Sequence, residues 1–106
     1  MSQTSTRLSH TAALILKALN SGYRYGFDIM EATGLPSGTV YPALRRLERD
    51  ALAEGVWEKE QTAEEEDRPP RRYYKVTRQG KLAIVEAEKK YPLIAQLLNP
   101  QEVHRP

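Results

Sequence analysis

Ala12, Ala13, Leu14, Ile15, Leu16, Ala18 and Leu19 make one short segment apolar almost all the way round a helix. Ser9 or Thr11 can cap such a helix, and Ser21-Gly22 can stop it. A helix with no wide polar face has to be covered on more than one side. The chain has 106 residues, of which 40% are hydrophobic, so it is the size of one domain with a single modest core. Little mass is left over for that covering, and a second subunit is the expected source of it.

A tight turn at Tyr23-Arg24-Tyr25-Gly26 leads into a second helix, Phe27 to Thr33, with Ile29 and Met30 available to the core and Gly34 to end it. Leu35-Pro36-Ser37 introduces a third, for which Ser37 is the expected cap. Helices separated by tight turns in this order form a helix-turn-helix. At about 100° per residue, Val40, Leu44, Leu47 and Ala51 share a narrow sector of the third helix. Tyr41, Arg45 and Arg49 point away from that sector, and Thr39 and Arg46 flank those three. Burying Leu44 and Leu47 contributes about 1.5–3 kcal/mol each, enough to dock the helix with its aromatic-and-arginine face outward. Pro42 is awkward: inside a helix it loses a hydrogen bond and clashes. Either the regular helix begins near Thr39, or its first turn is distorted.

Two strands follow, Ala53–Lys59 and Arg72–Thr77, the second rich in aromatic and β-branched residues. They are expected to pair as an antiparallel hairpin with Trp57 packed on the sheet. The connection, about 60–71, is rich in charge, contains Pro69-Pro70 and reads as a long, mobile loop. Thr77 caps a last helix, in which Ile84, Ala87, Tyr91, Ile94 and Leu98 recur at intervals of three and four. Such a seam suits a helix folded back over the chain's own first helix or one packed against a second copy. The all-round apolar first helix favours the second copy, with Leu14 and Ile15 joining the five seam residues at the dimer interface. Pro92 should kink or break the helix after Tyr91.

The fold class expected is therefore mainly α with a small antiparallel β-hairpin: a winged helix-turn-helix over residues 8–77 and a dimerisation helix over 78–99, with 1–7 and 100–106 as flexible tails. No apolar run approaches the roughly 20 residues that span a bilayer, and no signal-type segment leads the chain, so a cytoplasmic protein without membrane partners is expected. The absence of cysteine, with His10 and His104 near opposite ends, argues against a metal site or other cofactor. No phosphate loop, carboxylate pair or nucleophile–base arrangement suggests an enzyme. A net charge of +2 is only weakly basic, so distribution carries the case for nucleic acid. Arg45, Arg46 and Arg49 form one basic group, and Arg68, Arg71, Arg72, Lys75 and Arg78 another. The alternative is a winged-helix module that offers its arginine face to an acidic protein partner and does not bind DNA.

Tyr25-Gly26, the run Gly38-Thr39-Val40-Tyr41-Pro42-Ala43-Leu44-Arg45-Arg46-Leu47-Glu48, and Arg72-Tyr73-Tyr74-Lys75-Val76-Thr77-Arg78-Gln79-Gly80 occur in the order found in PadR-type transcriptional regulators. Over roughly residues 8–91 the chain resembles that family, in its short form with a single terminal helix. The resemblance implies a dimeric repressor acting on double-stranded DNA, whose third helix enters the major groove. Ser37, Thr39 and Tyr41 would lie near its start, Arg45 along its exposed side, and Arg46 and Arg49 beside it. Hydroxyls suit phosphates or base edges, and a guanidinium can pair with guanine O6 and N7. Arg71, Arg72 and Lys75 on the hairpin would neutralise phosphates. The resemblance also implies a small aromatic or lipophilic effector, or a stress signal, for which Tyr91 is the one aromatic candidate on the terminal helix. Two departures stand out. Asp50-Ala51 replaces an Asp-Gly turn and suggests a different local turn, and Glu64-Glu65-Glu66-Asp67 would repel phosphates, so the wing tip is expected to stay off the duplex.

Overall fold

The computed structural model describes residues 8–97. Ser9 is extended and its hydroxyl accepts the Ala12 amide at 3.1 Å, which starts α1 (His10–Asn20). After α2 (Gly26–Thr33), Gly34 takes the left-handed conformation and donates its N–H to the Met30 carbonyl at 2.8 Å. The third helix, α3 (Ser37–Arg49), begins two residues before Thr39, and Pro36 rather than Ser37 occupies its cap position. The Thr39 and Val40 amides both donate to the Pro36 carbonyl, at 2.9 and 3.0 Å. Pro42 is thus inside the helix, and the carbonyl four residues before it, which its ring crowds, belongs to Gly38.

The α3 terminus corrects one expectation. Leu52 N–H donates to the Leu47 carbonyl at 2.9 Å and Ala51 N–H to the Glu48 carbonyl at 3.0 Å, the paired bonds of a Schellman ending. Ala51 adopts φ 63° to make them, so the glycine-type turn is kept although the residue carries a Cβ. Ala51 also leaves the apolar sector assigned to it; Val40, Ala43, Leu44 and Leu47 form the buried face instead.

Strands β1 (Ala53–Trp57) and β2 (Arg72–Val76) pair antiparallel, from Ala53 opposite Val76 to Trp57 opposite Arg72. Trp57, expected to pack on the sheet, is 63% exposed and has the Arg72 guanidinium 5.4 Å from its ring centre. The connection is not a structureless loop. It contains α4 (Glu60–Glu65), whose Ala63 is buried, and it is tied down by Arg68. The Arg68 guanidinium donates to Glu58 through both ends, Nη1 to Oε1 at 2.5 Å and Nη2 to Oε2 at 2.9 Å. The Arg71 amide donates to the same carboxylate at 3.2 Å. Arg68 first, with the Arg71 amide and both positive charges, holds the Glu58 carboxyl down from its ordinary 4.5 to about 2.

The terminal helix is split, as Pro92 requires. Thr77 caps α5 (Arg78–Lys90) by accepting the Gly80 amide at 3.0 Å; Tyr91 is non-helical at φ −125° and ψ 83°, and Pro92 opens α6 (Pro92–Gln96). The short α6 folds back onto α1 and buries Ile94. Tyr91 Oη donates to the Leu8 carbonyl at 3.0 Å, and the buried Lys17 ammonium donates to Glu88 Oε2 at 2.7 Å and to the Ala95 carbonyl at 3.1 Å. A single core results, centred on Ile15, Leu16, Ile29, Val40 and Leu44, with α1 touching α2, α3, α5, α6 and β2.

The chain itself therefore supplies most of the cover for α1 that a second subunit was expected to provide. Ile15, Ile84, Ala87 and Ile94, expected at a dimer seam, are buried in the chain's own core. Packing of α5 on α1 buries Ile84 and Ala87 ahead of Tyr91, and the break there lets α6 turn Ile94 inward as well. Leu14 and Tyr91 keep part of their surface. Leu98 and the expected tails, 1–7 and 100–106, lie outside the described residues. Among the described residues, no helix is long and apolar enough to cross a membrane.

Two measurements test these local assignments. Ala51→Gly relieves a left-handed alanine, worth about 1–2 kcal/mol, against an unfolded-state cost of about 0.4–1 kcal/mol. Thermal denaturation should show a net gain of about 0.5–1 kcal/mol and a melting temperature several degrees higher; no gain would mean Ala51 carries no strain. Because the folded Glu58 carboxyl lies below its unfolded value, its pairing contributes full stability above about pH 4.5, and that contribution is lost as pH falls towards about 2. Arg68→Gln should narrow its deficit against the parent chain across that window in acid titrations of unfolding, and a constant deficit would refute the coupling.

Candidate nucleic-acid interface

The apolar seam of α3 decides which residues the chain can present. With Val40, Ala43, Leu44 and Leu47 locked into the core, the helix turns Ser37, Arg45, Arg46 and Arg49 to solvent, with Thr39 half-buried beside them and Tyr41 40% exposed. All six side chains singled out on this helix thus belong to one continuous surface. Arg45 and Arg46 have no ion-pair partner among the described residues. Arg49 Nε meets Asp50 Oδ1 at 3.1 Å, an exposed pair that water and salt weaken.

Tyr41 is held as well as exposed. Its ring rests against the backbone of Gly26 at the start of α2, where any Cβ would collide with Cε1, Cζ and the hydroxyl. The Tyr25-Gly26 and Tyr41-Pro42 motifs, far apart in the chain, are two halves of one contact between α2 and α3.

On the hairpin the three expected cations separate. Alternation along β2 puts Lys75 on the opposite face from Arg72. Lys75 is exposed and sits opposite Glu54; Arg71 is exposed, with its guanidinium 5.3 Å from the centre of the Tyr25 ring. Arg72 is different. Its guanidinium is paired with Glu48 of α3, Nη2 to Oε2 at 2.5 Å, so it is not a free cation of the kind expected for a phosphate clamp. The acidic residues of α4 and the turn after it are exposed, apart from the Glu66 contact with Arg68 at 3.0 Å, and they lie beyond the hairpin end rather than on α3. Among the described residues, no group of three histidine or carboxylate side chains could hold a metal ion. The Tyr25-Gly26 motif was legible in the sequence but its contact with Tyr41 was not; Glu48 carried a signal as the one acid in the basic run of α3, and Glu58 carried none as a partner of Arg68.

A surface helix of this type, preceded by a tight turn and flanked by a two-stranded wing, is a design found in DNA-binding proteins. The sequence matches the model of the transcriptional regulator PadR-like family over residues 15–86. The chain belongs to that family. A PadR family transcription regulator from hypervirulent Clostridium difficile R20291 shares 26% identity with it, superposes with a TM-score of 0.68, and aligns over 83% of this chain and 93% of its own. A PadR family transcriptional regulator from Eggerthella lenta DSM 2243 has 23% identity and a TM-score of 0.59, covering 79% of this chain and 76% of its own. The same fold occurs in Bordetella bronchiseptica BpsR, whose DNA binding is regulated by 6-hydroxynicotinic acid, at 18% identity and a TM-score of 0.64 over 86% of this chain and 60% of that one. Comparison with curated proteins returned no match. PadR-like proteins are transcription factors rather than enzymes, and this member is a winged-helix, DNA-binding transcriptional regulator.

The α2–α3 contact can be checked directly. Gly26→Ala should swing the Tyr41 ring into solvent, at a cost of about 1 kcal/mol because the ring end can move away. Loss of ring-current shifts at the amides around residue 26 would report the movement, and unchanged shifts would show that the ring was never seated there.

Proposed function

We propose that the chain is a dimeric repressor that reads an inverted-repeat operator through α3. The observation that carries this is the single outward surface formed by Ser37, Thr39, Tyr41, Arg45, Arg46 and Arg49 on a helix fixed by its own core. Arg45 pairs with a guanine edge, the hydroxyls of Ser37, Thr39 and Tyr41 contact phosphates or base edges near the helix start, and Arg46, Arg49, Arg71 and Lys75 neutralise flanking phosphates. Such an activity belongs in the cytoplasm, with the DNA.

A second copy is supported by apolar surface beside the α1–α6 contact. Leu93 is 72% and Leu97 45% exposed, and they border a cleft of about 430 Å3 lined also by His10, Leu14, Tyr91 and Ile94. Packing two chains at this cleft hides apolar surface that a monomer leaves in water. A two-fold dimer presents its two α3 helices about one turn of B-form DNA apart, or a multiple of it. The small aromatic effector of BpsR supports a ligand of that type for this chain too, and a molecule bound in the cleft would alter the spacing of the two reading heads.

Binding to the DNA upstream of the chain's own gene tests the reading. Arg45→Ala should cost about 1–3 kcal/mol on the selected site and relax choice at one base pair. Sedimentation of the complex should give two chains per duplex. Site-selective affinity that persists in both Arg45→Ala and Tyr41→Ala would remove α3 from the interface, and failure to select any duplex would favour an acidic protein as the partner of this face.

A further inference from the structure

Glu48 is the one acid among the residues of α3. At about 100° per residue it falls between Ser37 and Tyr41, on the stripe that continues to Arg45. A carboxylate there would repel phosphates unless something neutralises it. Arg72 does so from the hairpin, and both side chains are about one-third exposed, 33% for Glu48 and 30% for Arg72.

The seat of the guanidinium is assembled from several residues. Trp57 faces Arg72 across the ladder and Gly55 faces Tyr74, so all four lie on the same side of the hairpin. The Arg72 Cζ stands 5.4 Å from the Trp57 ring centre and 5.8 Å from that of Tyr74. Gly55 leaves the floor open, because a Cβ at that position would collide with Nη2, Cζ and Nε of Arg72. Arg71 and Lys75, by contrast, are exposed and have no ion-pair partner among the described residues.

The geometry points to Glu48 as a specificity-determining residue that acts through Arg72: it keeps this guanidinium in its seat and off the phosphates of any duplex. The inference rests on the reading of α3 as the DNA-facing helix. A cation placed on a phosphate releases condensed counterions and strengthens binding to every sequence alike. A guanidinium already neutralised by a carboxylate adds nothing of that kind. Holding one wing cation back lowers affinity for random DNA while the base contacts of α3 are untouched, so the ratio of operator to random binding rises.

The test is fluorescence anisotropy of a short random-sequence duplex across a salt series, with the full chain, Glu48→Gln, Arg72→Gln and the double variant. Glu48→Gln should bind about fivefold more tightly near 0.15 M salt and steepen the slope of log affinity against log salt by about 0.9, the value of one added phosphate contact. Arg72→Gln, which leaves the Glu48 carboxylate uncompensated, should bind less tightly than the parent, and the double variant, which removes both charges, should return to the parent slope. A folded Glu48→Gln chain with the parent slope overturns the inference. So does a double variant whose slope is shallower than the parent's by about 0.9, since Arg72 would then already be on a phosphate. If Glu48→Gln fails to fold, the double variant, compared with the parent, decides alone. A parent chain that binds no duplex rejects both this inference and the DNA-facing role of α3, whereas a parent that binds with slopes insensitive to Glu48→Gln rejects this inference only.

Discussion

Burial of α1 is the constraint on which the rest of the molecule depends. A helix with apolar residues on nearly every side cannot lie on the surface, and in this chain α2, α3, α5, α6 and β2 all pack against it. The arrangement sets the position of α3 in turn, because Val40, Ala43, Leu44 and Leu47 reach the same core. Once those residues are fixed, the orientation of Tyr41 and Arg45 follows from helical geometry, with no separate interaction needed to aim them.

Folding α6 back onto α1 has an electrostatic side. Lys17 is the one buried charged residue among the described residues, and it is compensated by Glu88 of α5 and by the Ala95 carbonyl of α6. Burying an ammonium without such partners would be costly. The bend at Tyr91 brings Ala95 to it and places Ile94 against α1 in the same step. Polar and apolar requirements are thus met by one turn of chain.

The hairpin shows how local charge can mislead when it is counted rather than located. Of the basic residues between 68 and 75, Arg68 is consumed by Glu58 and Glu66, and Arg72 by Glu48. What remains exposed without an ion pair to a carboxylate of another element is a smaller set, on α3 and at Arg71 and Lys75, than the composition implies. The acidic segment is likewise accommodated: the chain after α4 is tethered to the end of β1 through the pairing of Arg68 with Glu58.

Periodicity alone determined the elements that repeat locally: the apolar α1, the two-faced α3, the hairpin and the cap at Thr77 could all be read from residues close in sequence, because each needs only its own backbone geometry and side-chain spacing. The six α3 residues of the candidate surface were legible for the same reason. Partnerships between distant residues were decided by tertiary structure alone. Spacing made Ile84, Ala87 and Ile94 look like a seam between subunits, but spacing cannot say which helix a seam meets: α5 packs on α1 with Ile84 and Ala87 buried, and the bend at Tyr91 brings Ile94 of α6 to the same core. Glu48 with Arg72, Glu58 with Arg68, and Tyr41 with Gly26 depend on how elements far apart in the chain dock. Ala51 shows the same division in one residue: its side chain argued against a left-handed turn, and the hydrogen bonds and packing that join α3 to β1 imposed it.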